Sequence, residues 1–123
     1  MQLQESGEMY LETIYLLTSG GKSIRAIDVC EHMGYSKPSV SRAVSLLKSG
    51  GYLTVEVGGS LVLTEKGREK AEKTYRRHTV LTELFSLLGV SREVAAEDAC
   101  KIEHHISDET MDALERHLEK YGK

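Results

Sequence analysis

A chain of 123 residues has room for one domain, or for two small lobes sharing a core. With 40% hydrophobic and 28% charged residues it reads as an ordinary soluble globular protein, and its apolar runs are too short to span a membrane. The net charge of −3 argues against nucleic acid only as an average: residues 22–77 carry eleven Lys/Arg against six Asp/Glu, whereas residues 81–123 carry five against ten. A basic middle between acidic ends suits a DNA-binding lobe joined to a lobe with another task. The N-terminus has no basic segment followed by an apolar one, so a cytoplasmic protein without a signal peptide is expected. Cys30 and Cys100, two cysteines far apart, fit no disulfide framework.

In chain order, Glu8–Thr18 places apolar residues at 10, 11, 14, 15 and 17, a helical period that Ser19-Gly20-Gly21 ends. Met9 and Glu12 share a face offset from that stripe. Taken alone, Met9 reads as core filler and Glu12 as a solvated carboxylate. Ser23 is the expected cap of a second helix to about Met33, with Ile24, Ile27, Val29 and Cys30 inward. After Gly34-Tyr35, Ser36 caps a third helix with Pro38 in its first turn, where the missing N–H costs little. Val40, Ala43, Val44, Leu46 and Leu47 are expected inside.

Two helices joined by a short Gly-containing turn form a helix-turn-helix pattern. The candidate DNA-binding residues are Ser36, Lys37, Pro38, Ser39, Ser41 and Arg42. Small hydroxyls allow close approach to phosphates, and Arg42 can reach a base edge. Tyr52–Val57 then alternates, Gly58-Gly59 turns, and Ser60–Leu63 returns, the pattern of a short hairpin or wing. The predicted fold is mainly α: a winged helix-turn-helix domain over 1–63, then an all-α domain for dimerisation and metal binding over 64–123.

Thr64 opens a long helix, about 64–88, basic at first and apolar from Val80 to Leu88. His78, where the character changes, reads by itself as a surface residue. A helix from Ser91 is expected to run through Ala99 to His105, and a last one starts at Ser107 with Met111, Leu114 and Leu118 apolar. Their unsatisfied apolar surface suits a homodimer, and a dimer suits two half-sites of a palindromic operator in double-stranded DNA. Within the Ser91 helix, Cys100, Glu103 and His104 stand at i, i+3 and i+4, on one helical face. Thiolate, carboxylate and imidazole are common ligands of divalent transition metals. By spacing alone, this is equally a half-buried Cys beside a solvated Glu-His pair.

Three segments together resemble one family: Glu8-Met9-Tyr10-Leu11-Glu12-Thr13-Ile14-Tyr15, Arg77-His78, and Asp98 through Ser107. The chain resembles, from Glu8 to about Leu118, the metal-dependent repressors typified by the diphtheria toxin repressor and the manganese transport regulator. The resemblance implies metal ligands at Met9, Glu12, His78, Cys100, Glu103 and His104. Met9 and Cys100 stand where manganese-type members carry carboxylates and iron-type members carry Met and Cys, so Fe²⁺ is favoured over Mn²⁺, while Glu12 is of the manganese type. Zn²⁺, Ni²⁺ or Co²⁺ are expected to bind in vitro as well. The second His of the iron-type ancillary site falls on Ala96, and its Glu on Thr82. The C-terminal SH3-like domain of iron-type members is expected to be absent. The implied function is a metal-activated repressor of metal-uptake genes, not an enzyme. Two rivals are a winged-helix regulator indifferent to metal and a zinc hydrolase using Glu103 as base; for the latter, no glycine-rich oxyanion stretch is visible.

Overall fold

The computed structural model describes residues 5–122. The first four residues, part of the signal-peptide reading, lie outside them. The described residues form α1 (Glu5–Leu17), α2 (Ala26–Met33), α3 (Lys37–Ser49), β1 (Leu53–Val55), β2 (Leu61–Leu63), α4 (Glu65–Leu87), α5 (Arg92–Ile102) and α6 (Asp108–Tyr121). This is the expected mainly-α order, with a small hairpin after the third helix. The backbone divides into two compact units, Met1–Glu72 and Lys73–Lys123, so the division falls inside α4.

In the first unit, Tyr10, Leu11 and Ile14 of α1 are buried, as their spacing requires. The second helix departs from expectation. Ser23 does not cap it: the Ile24 carbonyl accepts a hydrogen bond from Leu61 N–H at 2.8 Å, so the chain lies alongside β2 and turns helical only at Ala26. Asp28 Oδ2 instead accepts from Arg25 N–H at 2.8 Å. Val29 and Cys30 are buried, with Ala26 and Met33 packed beside them. Ile27 lies off that stripe and is 41% exposed, contrary to the expectation that it points inward. Gly34 closes α2 at φ 72°, a left-handed conformation that glycine adopts without penalty, and its N–H donates to Cys30 O at 2.8 Å.

Ser36 caps α3, its Oγ accepting from Ser39 N–H, and Pro38 sits in the first turn as predicted. Val40 and Leu47, two turns apart on one face of α3, are buried, with Ala43 and Val44 packed on the same core. Leu46 was expected inside but is 65% exposed, because the 40-43-44-47 stripe leaves it on the far side. β1 and β2 pair antiparallel with Leu53 opposite Leu63 and Val55 opposite Leu61. Leu53 and Leu61 face the core, and the connection passes through Gly58 and Gly59, both at positive φ.

Thr64 ties the wing to α4. Its hydroxyl donates to Gly51 O at 2.7 Å and accepts from Gly67 N–H at 3.1 Å. Gly67 lies so close to the backbone just before β1 that a Cβ there would be 1.9 Å from Tyr52 O. Lys66 reaches Gly50 O at 2.9 Å and lies 4.3 Å over the Tyr52 ring.

In the second unit, Val80, Leu81 and Leu84 of α4 form a core with Ala99 of α5 and Met111 of α6. Ser91 and Ser107 cap α5 and α6 through hydrogen bonds from Val94 and Thr110 N–H. The predicted helix to His105 stops at Ile102, and residues 103–105 form a turn.

Candidate metal centre

His78 stands in the middle of α4, Cys100 in the last turn of α5, and Glu103 caps that helix. Glu103 keeps helical torsions, φ −55° and ψ −25°, and its N–H donates to Ala99 O at 2.9 Å. The i, i+3 relation between Cys100 and Glu103 therefore survives although the helix is ending. One donor atom each from His78, Cys100 and Glu103 lie within 4.8 Å of one another.

Glu103 is only 1% exposed. Its Oε2 lies 2.9 Å from His78 Nδ1, and its Oε1 lies 3.4 Å from His104 Nε2. Taking a carboxylate out of water costs several kcal/mol, and one charge-assisted hydrogen bond returns only about 1.5–3 kcal/mol. The arrangement leaves room for a further cationic partner. An imidazole, a thiolate and a carboxylate converging on one point match the donor preferences of a divalent transition metal, so the residues present fit such an ion.

The remaining candidates fall as follows. His104, predicted to share a helical stripe with Cys100, lies in the turn beyond α5, and it is not among the three donors grouped within 4.8 Å. Its side chain is 1% exposed and stands beside the Glu103 carboxylate. His105 is exposed. Met9 and Glu12 are half-buried, one helical turn apart on α1 of the first unit. Thr82, at the position of the ancillary Glu, turns its hydroxyl back to His78 O at 2.7 Å.

Arg77 and Asp108 were not singled out as site residues in the sequence. Arg77 Nη1 donates to Glu103 O at 3.0 Å and Ile106 O at 2.8 Å, and Nη2 donates to Asp108 Oδ1 at 2.6 Å. The Lys73 ammonium also lies 3.0 Å from Asp108. Hydrogen bonds from Lys73 and then Arg77 hold the Asp108 carboxyl below its usual range. These partners are 26 to 31 residues from Arg77, and no local pattern announces them.

On the first unit, Ser36, Lys37, Pro38, Ser41 and Arg42 are exposed along the start of α3, with Ser39 half-buried. The Ser36 and Ser39 hydroxyls are 2.9 Å apart. Val57, near the wing tip, is fully exposed.

Comparison with known proteins gives matches over both halves. The family model "Iron dependent repressor, N-terminal DNA binding domain" matches residues 2–59, and "Iron dependent repressor, metal binding and dimerisation domain" matches 64–123. The transcriptional regulator MntR of Escherichia coli is 32% identical over 113 residues, covering 92% of this chain and 73% of that protein. An uncharacterised helix-turn-helix regulator of Methanocaldococcus jannaschii is 33% identical over 121 residues, covering 97% of each. The structure of the manganese regulator SloR superposes with a TM-score of 0.81 at 28% identity, over 97% of this chain and 55% of that one.

Proposed function

The chain belongs to the iron dependent repressor family of metal-dependent transcriptional regulators, and from that premise we propose that it is a homodimeric repressor of metal-uptake genes whose grip on DNA is set by Fe²⁺ in preference to Mn²⁺. The observation that carries the reading is the donor group of His78, Cys100 and buried Glu103 in the same chain as a winged helix-turn-helix. We assign residues 1–63 to DNA binding and 64–123 to dimerisation and metal binding, in the cytoplasm. Among the described residues, no helix is long and apolar enough to cross a membrane.

A bound divalent cation supplies concentrated positive charge and fixed directions to its ligands. Cys100 offers a thiolate, Glu103 a carboxylate and His78 an imidazole nitrogen. His104 beside Glu103, and Met9 and Glu12 on α1, remain proposed ligands through the family resemblance. The argument for Fe²⁺ rests on sulfur: thioether and thiolate donors suit Mn²⁺ poorly. The manganese regulator SloR, a structural relative, lends iron no support.

On the DNA side, α3 is the recognition helix. Its capped N-terminus presents backbone N–H groups and the hydroxyls of Ser36, Ser39 and Ser41 to phosphate, with Lys37 adding charge. Arg42 reads a base edge in the major groove. Dimerisation has apolar surface to use in the second unit, where Leu87 is 54%, Leu88 80% and Tyr121 60% exposed. Cation binding that favours the DNA-competent state raises its population by the ratio of affinities for the two states.

The test is binding to DNA from upstream of its own gene and of neighbouring transport genes, anaerobically, in chelator, in Fe²⁺ and in Mn²⁺, beside Glu103→Ala. The reading expects metal to tighten binding at least about tenfold, or about 1.4 kcal/mol of coupling, and Glu103→Ala to lose that gain. Equal binding in chelator and metal would instead identify a metal-independent winged-helix regulator.

A further inference from the structure

Arg77 and His78 are neighbours on α4, and both hold the same residue. His78 Nδ1 meets the Glu103 carboxylate at 2.9 Å, while Arg77 Nη1 donates to the Glu103 carbonyl at 3.0 Å. We propose that Arg77 is a positioning residue for the metal centre: its guanidinium fixes the turn from Glu103 to Ile106 so that Glu103 and His104 are arranged before a divalent cation arrives. The inference rests on the metal reading above and deepens it.

α5 stops at Ile102, and the last carbonyls of a helix have no partner within it. The Arg77 fork bridges the Glu103 carbonyl to the Ile106 carbonyl and the Asp108 carboxylate, thereby spanning the whole turn into α6. Only 14% of the Arg77 side chain is exposed, so its bonds to the two carbonyls are partly shielded from competing water, while the Asp108 carboxylate stays open to solvent. Asp108, itself held by Lys73, fixes the guanidinium from the other side. Planar, with five donors in a fixed fork, Arg can make this bridge; the point-like ammonium of Lys cannot make all of it.

Charge alone predicts the opposite sign. A guanidinium beside a cation site repels the incoming ion, so a residue contributing only charge would weaken metal binding and its removal would tighten it. A residue that spares the turn its ordering cost has the reverse effect.

The experiment uses the full chain with Mn²⁺ as the probe, anaerobically, in competition with a fluorescent chelator. Arg77→Met and Arg77→Lys are compared with wild type, and Arg76→Met, on the same helix but paired with Glu115, serves as control. Arg77→Met is expected to weaken Mn²⁺ binding about tenfold or more, Arg77→Lys to recover part of the loss, and Arg76→Met to stay close to wild type. In metal-free protein, hydrogen exchange at the Glu103 and His105 amides, which donate to Ala99 O and Ile102 O, is expected to quicken in Arg77→Met while core amides of α4 keep their protection. Should Arg77→Met fail to fold, Arg77→Lys is judged by the same two readouts. Mn²⁺ binding in the Arg77 variants as tight as in wild type, or tighter, or unchanged exchange in the turn, overturns the inference alone. Wild-type protein that binds no Mn²⁺ overturns the metal reading and this inference with it.

Discussion

Replacing Glu103 by Gln separates the stability of the fold from the energy of metal binding. The Glu103 side chain has no exposed surface, and among the described residues its Oε2 accepts a hydrogen bond from His78 Nδ1. Gln keeps the shape and a carbonyl oxygen for His78, and it removes a buried charge. The metal-free variant should therefore melt within a few degrees of wild type, or above it. Metal reverses the ranking. A saturating ligand at about a hundred times its Kd stabilises the native state by about 2.7 kcal/mol. At this chain length 1 kcal/mol moves the melting temperature by roughly 4 °C, so wild type should gain roughly 10 °C. One unit charge pair at ~4 Å and an effective dielectric near 20 is worth about 4 kcal/mol, enough to weaken cation binding at least about a hundredfold when the carboxylate becomes an amide. At the same metal concentration the variant would gain only about 0.4 kcal/mol, roughly 2 °C. Calorimetric melts of both proteins in chelator and in Fe²⁺ or Mn²⁺ make the comparison. A Glu103→Gln protein with the full wild-type metal shift would refute the placement of the cation at this carboxylate.

Three further outcomes are expected. Gly67→Ala would put a methyl group where only 1.9 Å separates it from Tyr52 O, so urea unfolding should show a loss of about 3 kcal/mol or no folded protein; a neutral result would mean that the Tyr52 backbone and α4 move apart freely. Asp108 has a folded pKa below its ordinary 3.8, so its ion pairs stabilise the protein above that value, and their contribution is lost as pH falls through the lower folded pKa. Asp108→Asn should consequently melt below wild type at neutral pH, and the gap should close in acid below about pH 3.8. Arg42→Ala should cost about 1–3 kcal/mol of DNA affinity and relax specificity at one base position, whereas Lys37→Ala should weaken all sequences alike and lower the salt slope by about one, as titrations at several salt concentrations would reveal.

What the sequence revealed was what is decided within a turn or two of helix. Ser36 and Ser107 cap helices because their own hydroxyls reach N–H groups three residues on, and Leu53 and Leu61 face the core because strands alternate. The missed features depend on distant partners. The start of α2 moved from Ser23 to Ala26 because Ile24 is claimed by Leu61 of the wing. Ile27 and Leu46 are apolar residues just off a buried stripe, where composition alone suggests an inside position. The end of α5 at Ile102 accompanies a turn gripped by Arg77 from across the unit, and that turn carries His104 off the predicted helical stripe. Within the site, Cys100 and Glu103 were visible as a spacing. His78, 22 residues before Cys100, could be joined to them only through the family resemblance.

The placement of the metal is tested most directly by the electronic spectrum of the Co²⁺-substituted protein under anaerobic conditions. Thiolate coordination by Cys100 should produce a sulfur-to-cobalt charge-transfer band at one equivalent, lost in Cys100→Ser and retained in Cys30→Ser, whose parent cysteine is buried in the other unit. A cobalt spectrum without that band in the wild type, or one unchanged in Cys100→Ser, would contradict the account.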